Sequence, residues 1–422
     1  MAREINLNHI CKVEGHANLT LKIENNRVRT CELKAVEGAR FFEALVLGKK
    51  VEDVQEIVSR ICGICSSAHS VACIQALEEA MGIKASKQQE IMRELLMISE
   101  RIRSHATHLY FLSLPDYYNV SSALQLSEKN QDKIDDAISL MSLGNRIIEV
   151  VGGREIHPFL GIQEGTKKSR KENLNKEIEA ILEKKEVIEK TIKLFLSLKY
   201  PKLERETDYL SLYDSENYAT ISGKVKSQSE MIIDDDYKKH LQENIREYAT
   251  SKFALKDRKL FQVGAIARIN NSSNQLDLET RKFLKTIKLP FNNPFQNNIA
   301  QALELLHLAN RAIKIIPKLG IDEKPEEIRI KEGRGISAVE APRGTLFHEY
   351  VIDKEGKISY CNIITPTVQN LNIMEQDIRM LVNLLLEKKS SKEEIVKEVE
   401  KLIRAYDPCF SCSTHFLKVK WE

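Results

Sequence analysis

Apolar and polar residues alternate in the first part of the chain, INLNHICKVEGHANLTLKIENNRVRTCELKAV, around the turn-prone ENNR. This period of two predicts a β-hairpin. From Val54 onward, apolar residues recur every three or four positions, in stretches such as QQEIMRELLMISERIRSHATHLYFLSL and NLNKEIEAILEKKEVIEKTIKLFLSL. That period is typical of amphipathic helices, so the middle of the chain is predicted to be predominantly helical.

Alternation returns near the carboxyl end, in VEAPRGTLFHEYVIDKEGKISYCNIITP, and predicts strands that are followed by the amphipathic helix MEQDIRMLVNLLLEKK. The stretch from about Lys202 to Lys259 is charged, Tyr-rich and weakly periodic, and fits either a loop-rich excursion or a small subdomain. The sequence has no internal repeat and no Pro/Gly/Ser-rich hinge. We therefore predict one α+β domain over 1–422, mainly α with β elements: long central helices, an N-terminal hairpin and a C-terminal β segment.

Composition narrows the possible partners. The 422 residues carry a formal net charge of +3 with both signs interspersed, so no basic stripe offers a site for nucleic acid. No run of about 18 apolar residues is long enough to span a membrane, and the start lacks the layout of a secretory signal. A cytoplasmic protein is expected.

Eight cysteines are too few for a disulfide framework, so paired cysteines indicate metal or redox chemistry.

Two C-x-x-C pairs carry this chemistry: Cys62 and Cys65 in RICGICSSAH, and Cys409 and Cys412 in DPCFSCSTH. Each pair is a two-point soft chelate, and two pairs make a four-sulfur site for zinc, an iron cluster or another soft transition metal. A structural zinc ribbon is the alternative, but ribbon pairs are about 15–20 residues apart, whereas these bracket almost the whole chain. The other cysteines are predicted to be small buried hydrophobic residues: Cys11, Cys31, Cys73 and Cys361.

The two cysteine motifs, together with KVEGH near the start, closely resemble the large subunit of nickel–iron hydrogenases. The resemblance extends in the family's order through ARFFEAL, SHATHLY, GGREIHP, NPFQNNIAQALE, EAPRGTLFHEY and TPTVQN. It covers the chain except for about 166–255. Among family members, the variants RFFEA, NPFQNNIAQALE and EAPRG are most similar to the alpha subunit of cytoplasmic NAD(P)-linked sulfhydrogenases. The resemblance implies the family fold and reversible cleavage of H2 into protons and electrons.

It also implies the metal ligands. Nickel would be held by all four thiolates, with Cys62 and Cys409 terminal, and with Cys65 and Cys412 bridging to an iron that carries CO and CN. Glu14 matches the family glutamate that relays protons from the thiolate of Cys409. From the residues alone, a Glu on a hairpin surface is the alternative. Four soft thiolates are a chemically reasonable ligand set for such a centre.

Other site residues follow from the resemblance. Arg343 in EAPRG would lie over the metals, either as a base or as an electrostatic clamp, and both roles stay open because guanidinium holds its proton tightly. Pro342 beside it would form a dry wall. Many family members carry an Asp where this chain has Ser104, so Asp407 becomes the candidate to hold Arg343. His69 would lie beneath a bridging sulfur. The resemblance assigns packing roles to three further histidines: His105, His108 and His157.

A second metal, Mg2+ (or Fe2+), would be held by Glu43, by the backbone carbonyl of Leu371 and by His415. Few protein ligands with several waters suit Mg2+. In the family a protease cuts after this histidine once nickel-insertion chaperones have delivered the metal. A mature chain of 1–415 and a removed extension of 416–422 are therefore expected.

The chain has no further run of cysteines and no G-x-G-x-x-G after a strand, so partners must carry the electrons. The resemblance implies three partners: a small iron–sulfur hydrogenase protein, a flavin (FAD) protein that handles NAD(P), and a further iron–sulfur protein. Sulfur or polysulfide reduction is a further possible activity. The alternative within hydrogenases is a methanogen-type enzyme coupled to heterodisulfide reductase or deazaflavin. A quinone-linked relative that has lost the metal would lack the four cysteines.

Overall fold

The computed structural model of the protein describes residues 3–38, 41–161, 168–227, 231–232, 237–320 and 329–414. Helices dominate it, as the periodicity predicts. In chain order they are α1 (Phe42–Leu45), α2 (Val51–Ser59), α3 (Ser66–Met81), α4 (Lys87–Thr107), α5 (Leu114–Tyr117), α6 (Ala123–Gly152), α7 (Lys168–Ser197), α8 (Tyr237–His240), α9 (Ala265–Ser272), α10 (Leu278–Leu284), α11 (Asn297–Ile315), α12 (Pro366–Glu387), α13 (Lys392–Ala405) and α14 (Phe410–Ser413). Between α4 and α5 the chain forms a π-helical turn, His108–Ser113.

The strands form small antiparallel sheets at both ends of the chain and short pairs between them. They are β1 (Arg3–Leu7), β2 (Ala17–Glu24), β3 (Arg27–Ala35), β4 (Asp208–Tyr209), β5 (Ser211–Tyr213), β6 (Lys224–Lys226), β7 (Met231–Ile232), β8 (Leu241–Ile245), β9 (Lys252–Lys256), β10 (Phe261–Gln262), β11 (Gly333–Ala341), β12 (Gly344–Ile352) and β13 (Ile358–Ile364). The mainly α fold with β elements is confirmed. The single-domain organisation stays a prediction.

The predicted N-terminal hairpin is β2 and β3, and β1 adds a third antiparallel strand. Asn25 and Asn26 turn the chain with φ of 50° and 58°, a region that Asn tolerates better than most residues. Apolar residues of β2 face the core at every second position. This sheet packs on α12, whose inner face joins the same hydrophobic cluster.

The long helices α3, α4, α6, α7 and α11 pack together and form most of the main hydrophobic cluster. Helix α3 is buried on nearly every side, because α2 and α4 flank it and strands β11 and β12 cover it. Gly335 of β11 permits this close approach: a Cβ there would lie 2.0 Å from the carbonyl oxygen of Ala76 on α3. Packing therefore fixes the direction of α3, which begins directly after Cys65.

The stretch between Lys202 and Lys259 is a set of short strands that pack onto the rest of the protein. Among the described residues, β4 pairs in parallel with β10 just beyond the stretch, β6 lies between β5 and β7, and β8 pairs with β9. The side chain of Tyr218 reaches inward and donates to Glu304 of α11 at 2.6 Å. Across the described ranges, no helix is both long and apolar enough to cross a membrane.

Candidate metal centre

The four paired cysteines meet at one buried point, although the two pairs are 347 residues apart. The Sγ atoms of Cys62 and Cys409 are 3.4 Å apart, those of Cys65 and Cys412 are 3.1 Å apart, and those of Cys409 and Cys412 are 2.8 Å apart. All four sulfurs lie within 4.8 Å of one another. No other group of three or more metal-binding side chains of this kind is found among the described residues.

Backbone contacts position the second pair. Cys409 forms a parallel bridge with Glu14, and the N–H of Phe410 donates to the Glu14 carbonyl at 3.0 Å. The Oγ1 of Thr367 accepts from the Cys409 N–H at 2.8 Å. Thr367 also lines the small cavity beside the sulfurs. Sequence reasoning gave this threonine no role, because only the motif TPTVQN marked it.

Helix α4 positions the first pair. Arg103 donates to the carbonyl of Ile64, between the two cysteines, at 2.7 Å. Glu100 accepts from the N–H groups of Ser67 and Ala68 at 2.6 and 3.1 Å, and so caps the start of α3. Neither residue was identified from the sequence, because no motif or spacing links this helix to the cysteine loop.

The electrostatics of the sulfurs fit a cation. Hydrogen bonds from the thiols of Cys409 and Cys412 lower the pKa of Cys62 well below its ordinary value. Burial raises the pKa values of Cys409 and Cys412. Without a cation the cluster thus favours one thiolate, and full ionisation of four buried thiols needs compensating positive charge. The donor set, four sulfurs and no oxygen or nitrogen, selects a soft metal.

Glu14 touches this cluster directly. Its Oε2 lies 2.8 Å from the Sγ of Cys409 and accepts from the Ser411 N–H at 3.2 Å. Burial, and then the negative charge on Cys62, raises the pKa of Glu14. The carboxyl is half-buried rather than fully enclosed. It therefore stands between a buried sulfur and the protein surface.

Arg343 is buried beside the sulfurs. Its Nη2 and Nε donate to Asp407 Oδ1 at 2.9 and 3.2 Å, and Nε also donates to the Asp407 carbonyl at 2.8 Å. Burial opposes its charge, but Asp407 and the cysteine sulfurs raise the pKa of Arg343 well above its ordinary value. This environment favours a guanidinium that keeps its proton. Ser104 Oγ, where many family members carry an Asp, is buried without a hydrogen-bond partner among the described residues.

His69 lines the same cavity as Cys65 and Arg343, and its Nδ1 lies 3.0 Å from Nε2 of His348. Pro342 is buried, and Arg268 donates to its carbonyl at 3.0 Å. The other predicted packing histidines also have partners: His105 binds Glu304, His108 binds Gln301, and His157 binds the Ser59 carbonyl.

The residues expected to hold Mg2+ are only partly described. Both oxygens of Glu43 contact Lys252 Nζ, at 3.0 and 3.2 Å, and Glu243 contacts the same ammonium at 3.3 Å. Two carboxylates share one ammonium there, which leaves negative charge that would suit a further cation. Leu371 is buried within α12. His415 and the extension 416–422 lie outside the described residues.

The prediction for the unpaired cysteines is partly wrong. Cys31 and Cys73 are buried, but Cys361 is half-buried and Cys11 is exposed. Strand β1 ends at Leu7, so Cys11 falls in the loop before Glu14 rather than in the alternating strand that its apolar neighbours suggested.

Comparison with known proteins decides the family. A profile of the nickel-dependent hydrogenases matches residues 40–148 and 148–415. The chain belongs to this family. The alpha subunit of sulfhydrogenase 1 from Pyrococcus furiosus is 34% identical over 98% of both chains. A vhu-type F420-non-reducing hydrogenase chain of Methanococcus voltae is 28% identical, over 90% of this chain and 99% of that one.

The solved structures agree with this assignment. An NAD+-reducing [NiFe]-hydrogenase in the H2-reduced state superposes with a TM-score of 0.81 at 25% identity, over 98% of this chain and 99% of that one. The family expected from the cysteine motifs is confirmed, and this hydrogenase chain is thereby an oxidoreductase subunit with a metal site. Its relatives include the alpha subunits of two sulfhydrogenases.

Proposed function

We propose that this chain is the catalytic large subunit of a cytoplasmic nickel–iron hydrogenase that cleaves H2 reversibly. The observation that carries the proposal is the meeting of four buried sulfurs within 4.8 Å, with a carboxyl at 2.8 Å from one of them. Cys62, Cys65, Cys409 and Cys412 would hold nickel, and Cys65 and Cys412 would also hold iron. The centre, with CO and CN on iron, supplies a soft, electron-rich site for H2 when it is bound.

The chain's own residues handle the proton. The Cys409 thiolate is the base next to the reacting site, and Glu14 accepts its proton across 2.8 Å. Because Glu14 is half-buried, it can pass the proton outward. Arg343, held by Asp407, acts as a fixed positive charge and donor that orients groups in the cavity. Ala341 lines the cavity and, with Pro342 next to it in the chain, would form an apolar wall, while His69, which also lines the cavity, would support the bridging sulfur.

The same proposal includes a structural Mg2+ (or Fe2+) held by Glu43, the Leu371 carbonyl and His415. The remaining charge on the carboxylates around Lys252 supports a cation at this place. Cleavage after His415 by a maturation protease, following nickel insertion by chaperones, would leave a chain of 1–415.

Partner subunits would carry the electrons. Gly63, between the first two cysteines, is exposed, and two exposed apolar side chains lie on the neighbouring loop, Ile156 at 49% and Phe159 at 47%. We call these three residues the exit patch. Exposed apolar groups next to a redox site are typical of an interface. We infer a small iron–sulfur subunit here, with flavin and further iron–sulfur subunits passing electrons to NAD(P) and possible reduction of sulfur or polysulfide.

A second electron acceptor is favoured by one observation. The Methanococcus voltae relative that covers 90% of this chain is an F420-non-reducing hydrogenase chain. A methanogen-type enzyme coupled to heterodisulfide reductase is therefore the alternative, whereas coupling to deazaflavin, the class of cofactor to which F420 belongs, gains no support from a relative named as not reducing F420. Dye-independent assays with NADP+, NAD+, polysulfide and deazaflavin would separate these acceptors in the purified complex.

Metal analysis of the natively purified complex tests the central claim. We expect stoichiometric nickel and iron, H2-dependent dye reduction, and loss of both after any of the four cysteines is changed to Ser. Zinc in place of nickel, in a chain without its extension, would show that the thiolates are structural and would overturn the catalytic assignment.

A further inference from the structure

A buried chain of hydrogen bonds leads from the π-helical turn to Arg343. Arg343 donates to Oδ1 of Asp407, and Gln301 Nε2 donates to Oδ2 of the same carboxylate at 3.1 Å. Gln301 Oε1 faces His108 Nδ1 at 2.5 Å, and His108 Nε2 faces the Arg404 carbonyl at 2.6 Å. All five residues are at most 5% exposed. The donor and the acceptor of each hydrogen bond can therefore be assigned from the neighbouring bonds in the chain.

Asp407 is paired with Arg343, so it is a carboxylate and only accepts. Gln301 must then turn its amide nitrogen to Asp407, which leaves its oxygen facing His108. That oxygen and the Arg404 carbonyl both only accept, so both ring nitrogens of His108 must carry hydrogen. We infer that His108 is a buried imidazolium that positions Arg343 through Gln301 and Asp407. This role rests on the function proposed for Arg343.

The surroundings of His108 accommodate the charge. Arg404 lies in the last turn of α13, where the helix dipole favours a cation, and its carbonyl accepts from the Asp407 N–H at 2.8 Å with a second lone pair left for His108. The π-helical turn begins at His108 itself, and π-helical turns often mark functional positions. Nearby charged groups are paired with one another: Asp116 with Arg404 and Lys12, Glu400 with Arg404, Glu304 with Arg268, Arg101 and His105, and Asp407 with Arg343. The imidazolium is therefore held by two neutral oxygens, those of the Gln301 amide and the Arg404 carbonyl.

The sequence explains why Arg343 needs support from His108, Gln301 and Asp407. Ser104 stands where many hydrogenases have an Asp, so Asp407 is the one carboxylate in hydrogen-bond contact with Arg343 among the described residues. Gln301 fixes its second oxygen, and the imidazolium fixes the Gln301 amide in the donating orientation. A neutral His108 ring would present a lone pair either to Gln301 Oε1, which would release the amide to turn over, or to the Arg404 carbonyl, which would release the ring itself.

Neutron diffraction from deuterated crystals of the complex at neutral pH tests the inference directly. We expect deuterium on both ring nitrogens of His108, and the Gln301 amide nitrogen facing Asp407. A single ring deuteron, or a reversed amide, overturns the inference. This result concerns hydrogen positions alone, so it stands whether or not the complex cleaves H2.

Two variants test the consequence for catalysis. His108→Gln removes the charge, and Gln301→Glu keeps the acceptor for His108 but removes the donor to Asp407. Misplacing Arg343 should lower kcat by about tenfold or more in each, with KM for H2 little changed and metal content retained. His240→Gln, at a half-exposed histidine paired with Asp257, is the matched control and should not change kcat. If His108→Gln fails to fold, the kcat of Gln301→Glu tests the positioning role instead. A wild-type kcat in either variant that folds overturns the positioning role.

Discussion

At the scale of single residues, Glu14 shows how one side chain can connect a buried sulfur to solvent. Two contacts with the second cysteine loop hold Glu14 in place. Its backbone forms a β-bridge with Cys409, and its carboxylate accepts a hydrogen bond from the Ser411 N–H. Burial raises its pKa, so it can both take and release a proton nearer neutral pH than an exposed carboxyl. The proposed function therefore assigns the segment KVEGH a proton acceptor rather than only a packing surface.

Glu14→Gln keeps the shape and the hydrogen bond to Ser411 but cannot bind a proton. We expect H2-dependent dye reduction to fall by about 100-fold or more, the range for loss of a general base. Nickel content should stay at the wild-type level. Glu4→Gln, on the exposed face of β1, is the control and should leave both measurements unchanged. A Glu14→Gln enzyme with wild-type turnover would contradict the proton path.

Glu100 gives a pH-dependent prediction. Burial raises its pKa from 4.5 to about 7. Between these values the folded chain holds a proton that the unfolded chain has lost, so the free energy of unfolding should fall as pH rises from 4.5 to about 7. The loss is on the order of 3 kcal/mol.

Thermal unfolding of the wild type and of Glu100→Gln at pH 5 and pH 8 measures this effect. The wild type should lose more stability than the variant between the two pH values. Glu128→Gln, at an exposed position of α6, should follow the wild type. Parallel pH dependence in the wild type and in Glu100→Gln would show that Glu100 titrates as an ordinary carboxyl.

At the scale of elements, periodicity predicts the hairpin β2–β3, the long helices and the C-terminal strands, because each is a local pattern of burial. Contacts between distant segments are not visible in this way. Arg103 and Glu100 hold the first cysteine loop from another helix, and His108 reaches Asp407 through Gln301. The four cysteines were identifiable because soft-metal chemistry demands their residue type. The residues that support them are ordinary residue types whose role depends on three-dimensional position.

The contact of α3 with β11 is an element-scale feature that can be tested. In Gly335→Ala the new Cβ would lie 2.0 Å from the Ala76 carbonyl oxygen and 2.5 Å from the Ala80 N. Helix α3 must then move, and Cys65 at its start moves with it. We expect a loss of about 1–3 kcal/mol in stability, seen as a lower melting temperature, together with lower nickel retention. Gly38→Ala, where nothing lies within 4 Å, should be neutral; equal melting temperatures for both variants would contradict the packing argument.

At the scale of the whole molecule, the metal centre brings together two segments that are far apart in the sequence. Sulfurs 347 residues apart must meet, so a bound metal stabilises only the folded chain and closes almost the full length of the sequence. The first pair is buried beneath its own loop, where Gly63 reaches the surface, whereas the second pair is covered by Glu14 and Thr367. Under the proposed function, this asymmetry would separate an electron side from a proton side. We therefore expect the exit patch, Gly63 with Ile156 and Phe159, to face the partner that takes electrons.

A charged side chain in the exit patch should block that partner without disturbing the metal. Ile156→Glu and Phe159→Glu place a carboxylate where an interface would bury it unpaired, which costs several kcal/mol of binding. We expect nickel content to stay normal, while the iron–sulfur subunit no longer co-purifies in stoichiometric amount by native mass spectrometry. Leu124→Glu, at an 82% exposed position on α6, is the matched control and should leave the complex intact. Intact complexes with both exit-patch variants would place the electron partner on another face, and the separation of electron and proton sides would have to be abandoned.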